Sequence, residues 1–341
     1  MVKMRSWSVL ALSVSLLAIC VPLLAQEPCT ITVRPGESIQ AAIDAAPEGA
    51  VICLEAGEWK ENVMIEKSLT LRGQGAGRTT LASGDDVREV VRVECYEDDA
   101  SIVIEHLSLV GDGKMPERCG VLIRGAQRSV TIESCSILKH SAVGIYVAAY
   151  SGPTQVTISN CRVFWNDCGG ISISGPDARA TISGCYIFHN SSYGLDLFHS
   201  EATVTGCTLF GNGSGILTMA KKATISDSSI RGNYGDGIDA RGWAAGDAEL
   251  TVTGCDISRN SGSGISLGGS LRATIEGNTI DGNRTFGISL YDHLCRIFCL
   301  SQDVCFTGVV TGKENTVRGA VCPQELEFLA TPQGGELKWP E

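Results

Sequence analysis

Apolar and polar residues alternate with a period of two over short runs throughout Val130–Leu290. Ala180-Thr181-Ile182-Ser183 is followed closely by Cys185-Tyr186-Ile187, and Gly170-Ile171-Ser172-Ile173 keeps the same beat. Such alternation predicts half-buried strands, because successive side chains of a strand point to opposite faces. The linkers are rich in Gly, Asn, Asp and Ser, which bend the chain or accept left-handed backbone. No amphipathic segment of helical length separates the runs, so a βαβ arrangement fails.

The runs recur as one pattern, Ala-Thr-Ile-Ser-Gly-Cys-x-Ile-x-x-Asn and then Gly-Ile-x-Leu/Ile, with copies starting at Val130, Val156, Ala180, Ala202, Ala223, Leu250 and Ala273. Superposed, the copies align Cys135, Cys161, Cys185, Cys207, Ser228, Cys255 and Asn278 in one column. His140, Asn166, Asn190, Asn212, Asn233, Asn260 and Asn283 form a second, and the glycines from Gly144 to Gly287 a third. A weaker copy with Leu107, Asp112 and Gly120 precedes them. A period of this length marks a repeat architecture. Three short strands per coil, each pairing with its equivalent one coil on at about 4.8 Å, predict an all-β, single-stranded parallel β-helix, a solenoid. Ile, Cys and Ala columns then fill the bore, and the Asn column hydrogen-bonds along the turns.

Before the repeats, Lys3 and Arg5 lead into the apolar run Val9–Leu24 and Leu23-Leu24-Ala25. This predicts a signal peptide over 1–25, too short and wrongly flanked to remain as a membrane anchor, and hence a secreted, periplasmic or cell-envelope protein. A single domain is expected over 26–341. It divides into an N-terminal cap with the first coils at 30–81, regular coils at 101–290, and a Cys-rich insertion, last coil and C-terminal cap at 291–341. Ser38 is placed to cap a helix over Ile39–Ala46, stopped by Pro47 and Gly49, which suits a plug for the open end of a solenoid. The tail Glu325–Trp339 alternates enough to predict a short hairpin over the other end, and two capped ends suit a monomer.

Ser38-Ile39-Gln40-Ala41-Ala42-Ile43-Asp44-Ala45-Ala46-Pro47-Glu48-Gly49, with Gly57-Glu58-Trp59-Lys60-Glu61-Asn62-Val63 and Leu69-Thr70-Leu71-Arg72-Gly73, resembles the first coils of pectin-lyase-like β-helix proteins, and within them the NosD-like branch of exported bacterial proteins. The resemblance implies a right-handed coil. For activity it implies a range, since that superfamily holds lyases, hydrolases, esterases, epimerases and non-enzymatic members.

The formal net charge of −11 disfavours nucleic acid and anionic membranes, since an acidic surface repels phosphate. It also disfavours polyuronates unless a cation such as Ca²⁺ bridges the two, and Ca²⁺ is the one cofactor the charge invites. Of the cysteines, those of the repeat column read as small buried hydrophobes. Cys29, Cys53, Cys95, Cys119, Cys168, Cys295, Cys299, Cys305 and Cys322 read as disulfides tying caps and loops in an exported protein. The zinc alternative is Cys295, Cys299 and Cys305 beside His293.

Chemistry on a β-helix needs side chains from several coils on one outer face. After each Gly-Ile/Leu the outward residues are Tyr146, Ser172, Asp196, Leu217, Asp239, Ser266 and Ser289. Asp196 and Asp239 fall two coils apart, about 9–10 Å, at the wide end of the roughly 6.5–9.5 Å separating inverting glycosidase carboxylates. With His199 as a base and Arg241 to stabilise developing charge, these four are the candidate catalytic residues. Tyr146, Phe198, Trp243 and Tyr291 are the candidate sugar-binding aromatics, and no metal site is assigned. Tyr193-Gly194-Leu195-Asp196-Leu197-Phe198-His199 is similar to the Tyr-Gly-x-Asp-Pro-His signature of alginate epimerases, but Leu197 replaces the Pro and Phe198 intervenes before His199. The expected function is polysaccharide binding or processing, as lyase, glycoside hydrolase or epimerase. The alternatives are a non-catalytic structural or protein-interaction rod of the envelope and, by the NosD-like resemblance, a metal-site accessory protein using histidines such as His106, His140, His189 and His199.

Overall fold

A computed structural model describes residues 27–84, 89–95, 99–113, 118–125, 128–242, 248–291, 295 and 305–338. The signal-peptide segment, Trp243, His293 and Cys299 lie outside the described residues. The chain winds into a β-helix with three parallel sheets as walls: sheet A of 13 strands, sheets B and C of 11 each. One coil runs through Ala178–Ser183 in sheet A, Tyr186–Phe188 in sheet B and Tyr193–Phe198 in sheet C. Each strand pairs in register with the next coil, as in Thr181 with Thr203, Ile187 with Leu209 and Leu195 with Ile216. The apolar half of the alternation faces inward, so Ile182, Ile187, Leu195 and Leu197 are fully buried. Each such side chain contributes roughly 1.5–3 kcal/mol.

Two corners of each coil have one design. A single residue takes the left-handed conformation, and the next turns its polar side chain inward. Between sheets A and B these residues are Asn160, Gly184, Gly206 and Asp227, with φ from 50 to 61°, followed by Cys161, Cys185, Cys207 and Ser228. Between sheets B and C they are Trp165, His189 and Gly211, at 55–64°, followed by Asn166, Asn190 and Asn212. The Asn column is a continuous ladder: Asn190 donates its backbone N–H and Nδ2 to Asn212 Oδ1 at 3.1 and 3.0 Å, and Asn212 repeats this to Asn233. His140 heads the ladder, donating its N–H to Asn166 Oδ1. Burial holds its imidazole down at a pKa of about 4, so it serves as a neutral member of the ladder. In the Cys column the thiols of Cys161, Cys185 and Cys207 are free and buried, donating to Ile132 O, Ile158 O and Ile182 O. The third column needs glycine for space: a Cβ on Gly170 would lie 2.5 Å from Gly194 O.

Both ends are closed. At the N-terminal end Ile39 and Ile43 of the helix Ile39–Ala45 are buried. Ser38 Oγ accepts from Ala41 N, and the Glu61 carboxylate accepts from Ile39 N at 2.8 Å, placing a negative charge at the positive end of the helix. The C-terminal tail differs from the expected hairpin. Gln324–Ala330 forms a 3₁₀ helix that buries Leu326 and Leu329, and Gly335–Lys338 returns antiparallel to Val309–Lys313. Leu326 and Leu329 are spaced for a helical face, which the reading in twos passed over.

The cysteines outside the column divide. Cys29 is bonded to Cys53 and Cys295 to Cys322, and Cys305 is disulfide-bonded as well. Cys295 is thereby unavailable to zinc. Cys119 and Cys168, expected in disulfides, are free. They occupy corner positions two coils apart on the sheet C side, about 9–10 Å by the coil rise, beyond disulfide reach.

Candidate functional site

The outer side of sheet C realises the sequence columns as two spatial rows. The first runs Tyr146, Ser172, Asp196, Leu217, Asp239, Ser266, Ser289 in strict register. The second runs Ala148, Ser174, Phe198, Met219, with Arg241 further on opposite Gly268. These positions point outward, yet the face is recessed: Ser172 and Asp239 are each only 7% exposed and Ser266 1%.

Asp239, Arg241 and Tyr291 form a closed cluster. Arg241 grips the carboxylate with two parallel bonds, Nε to Oδ1 at 3.0 Å and Nη2 to Oδ2 at 2.6 Å. Tyr291 Oη donates to Asp239 Oδ1 at 3.2 Å and receives Arg241 Nη2 at 3.0 Å, while the guanidinium lies 5.0 Å from the tyrosine ring centre. The bond to Asp239 raises the Arg241 pKa above its ordinary value. Burial, then the Asp239 charge, pushes the Tyr291 phenol up. Asp239 is thus a saturated acceptor, and the outward groups of the cluster are a fixed cation and an aromatic ring.

Asp196 is different. One oxygen accepts from Ser172 Oγ at 3.2 Å, and burial raises the carboxyl pKa against that bond. A carboxyl destabilised as an anion and still partly exposed is suited to accept or deliver a proton. Leu217 stands between Asp196 and Asp239 in the row. Tyr146, two coils before Asp196, has its phenol raised mainly by burial.

His199 is not in either row. It occupies the left-handed corner that closes the strand Tyr193–Phe198, φ 54°, with its ring flat on Phe198 at 4.3 Å. The other described histidines do not gather: His106 and His189 are also corner residues, and His140 lies inside the bore. Among the described residues no group of three His, Cys, Asp or Glu converges as a metal-ligand set, and no helix is long and apolar enough to cross a membrane.

Two features escaped the sequence reading. Asp236 accepts Ser263 N at 2.6 Å, and burial raises its carboxyl pKa, adding an acid beside Asp239. It stands in a turn outside the outward register, so counting by twos passes over it. The second lies on sheet B, where Phe164, Phe188 and Phe210 occupy one outward position in three successive coils. The signal is legible as Phe before the corner in three successive copies. Among the described residues a cavity of about 430 Å³ lies beside Pro153, Asp177 and Arg179. The sheet C face itself is a recessed surface, with Ser172, Asp239 and Ser266 nearly buried along it.

The family model for the right-handed β-helix region matches residues 119–245 and 221–320, more than half of the chain. No curated protein matches the sequence. Among solved structures, the chain is similar to the A-module of mannuronan C-5 epimerase AlgE4 of Azotobacter vinelandii, with 20% identity and a TM-score of 0.59 over 74% of this chain and 76% of that one. It is similar to ORF18 of Geobacillus virus E2 at 14% identity and a TM-score of 0.66, covering 83% and 61%. The catalytic domain of a GH87 α-1,3-glucanase in complex with nigerose follows at 13% identity and 0.59, covering 89% and 67%. At these identities the likeness is one of fold.

Proposed function

Because the chain belongs to the right-handed β-helix family, we propose that it is an exported protein that binds a polysaccharide along the outer face of sheet C, with 1–25 as its signal peptide and 26–341 as one domain. The observation that carries this is the row holding Asp196 and Asp239 with Arg241 and Tyr291: a partly buried acid, a fixed cation and an aromatic ring on one rigid surface. A glycan offers this surface hydroxyls for the charged groups and C–H faces for Tyr146, Phe198 and Tyr291. A mannuronan epimerase and an α-1,3-glucanase are built on the same fold, which supports a polysaccharide ligand. The disulfides Cys29–Cys53 and Cys295–Cys322 support an oxidising compartment.

Turnover, where it occurs, falls to Asp196, the carboxyl with free acceptor capacity and a raised pKa. The saturation of Asp239 by Arg241 and Tyr291 favours binding without turnover as the second reading. A glycan array with and without Ca²⁺, followed by assay of bound glycans for released or unsaturated products, tests both. Binding that is lost in Arg241→Gln places the ligand on this face, and turnover lost in Asp196→Asn makes the protein an enzyme. If no glycan bound on the array loses its binding in either variant, the assignment of this face is refuted.

A further inference from the structure

Sheet B carries an apolar row on its outer side. In register from one coil to the next, the outward position holds Ala82, Val110, Leu138, Phe164, Phe188 and Phe210. A row of six apolar side chains facing out of a strand wall has no role in the bore, and continuous apolar surface marks an interaction site. The three phenylalanines stack ring on ring, with centroids 4.7 and 4.9 Å apart and planes within 4°. Those spacings equal the coil rise, so the rings lie across the helix axis with their faces against one another and their edges toward solvent. Ring edges carry the positive side of the aromatic quadrupole.

Two large aromatics flank the stack in the open. Trp165, 52% exposed, sits edge-on to Phe164 at the corner, and Tyr186, 54% exposed, stands beside Phe188 in the neighbouring outward row. Cations stand with them. Arg162 lies over Phe164 and Phe188 at 5.6 and 5.9 Å, and Lys139 occupies the corner one coil before Trp165. On the other two sheets several cations are matched by carboxylates: Arg179 with Glu201 and Lys222 with Glu249 on sheet A, Arg241 with Asp239 on sheet C. Arg162 and Lys139 form no ion pair among the described residues, and across the coils from Ser136 to Tyr186 the outward residues of sheet B include no acid. On a chain of net charge −11 the wall itself thus presents cations, with the acids Asp112 and Asp167 set back in the adjoining corner.

We propose that the outer face of sheet B around Phe164 and Phe188 is a second glycan platform, distinct from sheet C and selective for an anionic glycan. Carboxylate or sulfate groups meet Arg162, Lys139 and the electropositive ring edges. The exposed faces of Trp165 and Tyr186 take the C–H faces of the sugars. A second copy of this chain fits less well, because each copy would bring the same unpaired cations to the contact. The coil rise is close to the length of one hexopyranose unit, so an extended chain running along the axis meets one set of side chains per sugar.

The test uses the full mature protein and calorimetric titration with three probes: polygalacturonate, heparin and neutral dextran. Both anionic chains, or one of them, are expected to bind and dextran not, and which binds separates carboxylate from sulfate recognition. Trp165→Ala/Tyr186→Ala is expected to weaken that binding at least tenfold, and Lys139→Gln/Arg162→Gln to weaken it and flatten its salt dependence. All four residues are exposed, so the variants keep the wild-type melting temperature, which a thermal scan checks. Arg241→Gln on sheet C leaves this binding unchanged. Equal affinity for dextran, insensitivity to both sheet B variants, or no binding of either anionic chain because the face serves a protein partner would each overturn the proposal. Loss of binding in Arg241→Gln alone would overturn it while upholding the sheet C assignment.

Discussion

Sheets B and C are walls of one tube, built from the same repeats with the same inward residues, yet they treat charge in opposite ways. On sheet C the strongest ionic group is internally satisfied: Asp239 is 7% exposed and its carboxylate is held by Arg241 and Tyr291. On sheet B the cations Arg162 and Lys139 stand over and beside stacked aromatics without carboxylate partners among the described residues. A recessed, self-neutralised face presents a fixed shape with little net field. An open face with unpaired cations presents a field and asks for a partner of opposite sign. Because the interior supplies the stability of both, the outer residues of each wall are at liberty to specialise, which is why one fold carries unrelated activities.

The largest expected effect comes from breaking the satisfied pair. Arg241→Ala leaves the buried Asp239 carboxylate with Tyr291 alone, and unfolding in urea should show a loss of about 3 kcal/mol, discounted from the fully buried case because the guanidinium itself is about one-third exposed. A loss below about 0.5 kcal/mol would show that Asp239 is solvated and that the two faces are alike. Next is Phe188→Ala, which removes the middle ring of the sheet B stack and its contacts on both sides. About 2 kcal/mol is expected by the same measurement, between the cost of an exposed and a core phenylalanine. An unchanged midpoint would mean that the stack is present only for a ligand.

The fold was legible from residues 130–290 because a solenoid repeats its physics in every coil: Ile182, Cys185, Asn190 and Gly194 recur as columns, and a column in sequence is a ladder in space. The Asn ladder and the buried thiols follow directly. What lay off the columns was harder to read. The tail was read in twos, whereas Leu326 and Leu329 follow a helical spacing. Cys119 and Cys168 were counted with the disulfides because composition counts thiols without placing them in coils. At the site, the outward rows of Asp196, Asp239 and Arg241 came from simple alternation. That Arg241 turns Nε and Nη2 onto its own neighbour Asp239 depends on rotamers that no spacing encodes. The sheet B stack lies apart from the acids and histidines that mark sheet C, and its signal is the plain recurrence of Phe164, Phe188 and Phe210.

A smaller effect tests the one acid of sheet C that is not saturated. The Asp196 carboxyl has a raised pKa in the folded protein, with burial the main cause. Between the unfolded value of about 3.9 and the higher folded one, the folded state binds more protons than the unfolded. Its contribution to stability is therefore fully present below about pH 4 and is lost as pH rises through the folded pKa. Asp196→Asn keeps an acceptor for Ser172 and removes the buried charge, so relative to wild type it should be more stable at pH 7 and no more stable near pH 3.5. A residue that costs stability at working pH points to a role in function. A variant less stable than wild type at pH 7 would instead make Asp196 a structural acceptor.

The smallest expected change is the counterpart of the first. Arg162 shares its residue type with Arg241 and also touches an aromatic ring, so if arginines contributed alike on both walls, Arg162→Ala would cost as much as Arg241→Ala. It strands no buried carboxylate, and the cation–π contact it loses at an exposed site is worth only about 0.5–1 kcal/mol, part of which the freed side-chain entropy offsets. A loss of about 0.5 kcal/mol or less in urea unfolding is expected, together with a shift of the protein's surface charge in the acidic direction. A loss approaching that of Arg241→Ala would mean that Arg162 clamps the stack as part of the wall, and the unpaired cations of sheet B would then be structural rather than held open for an anionic partner.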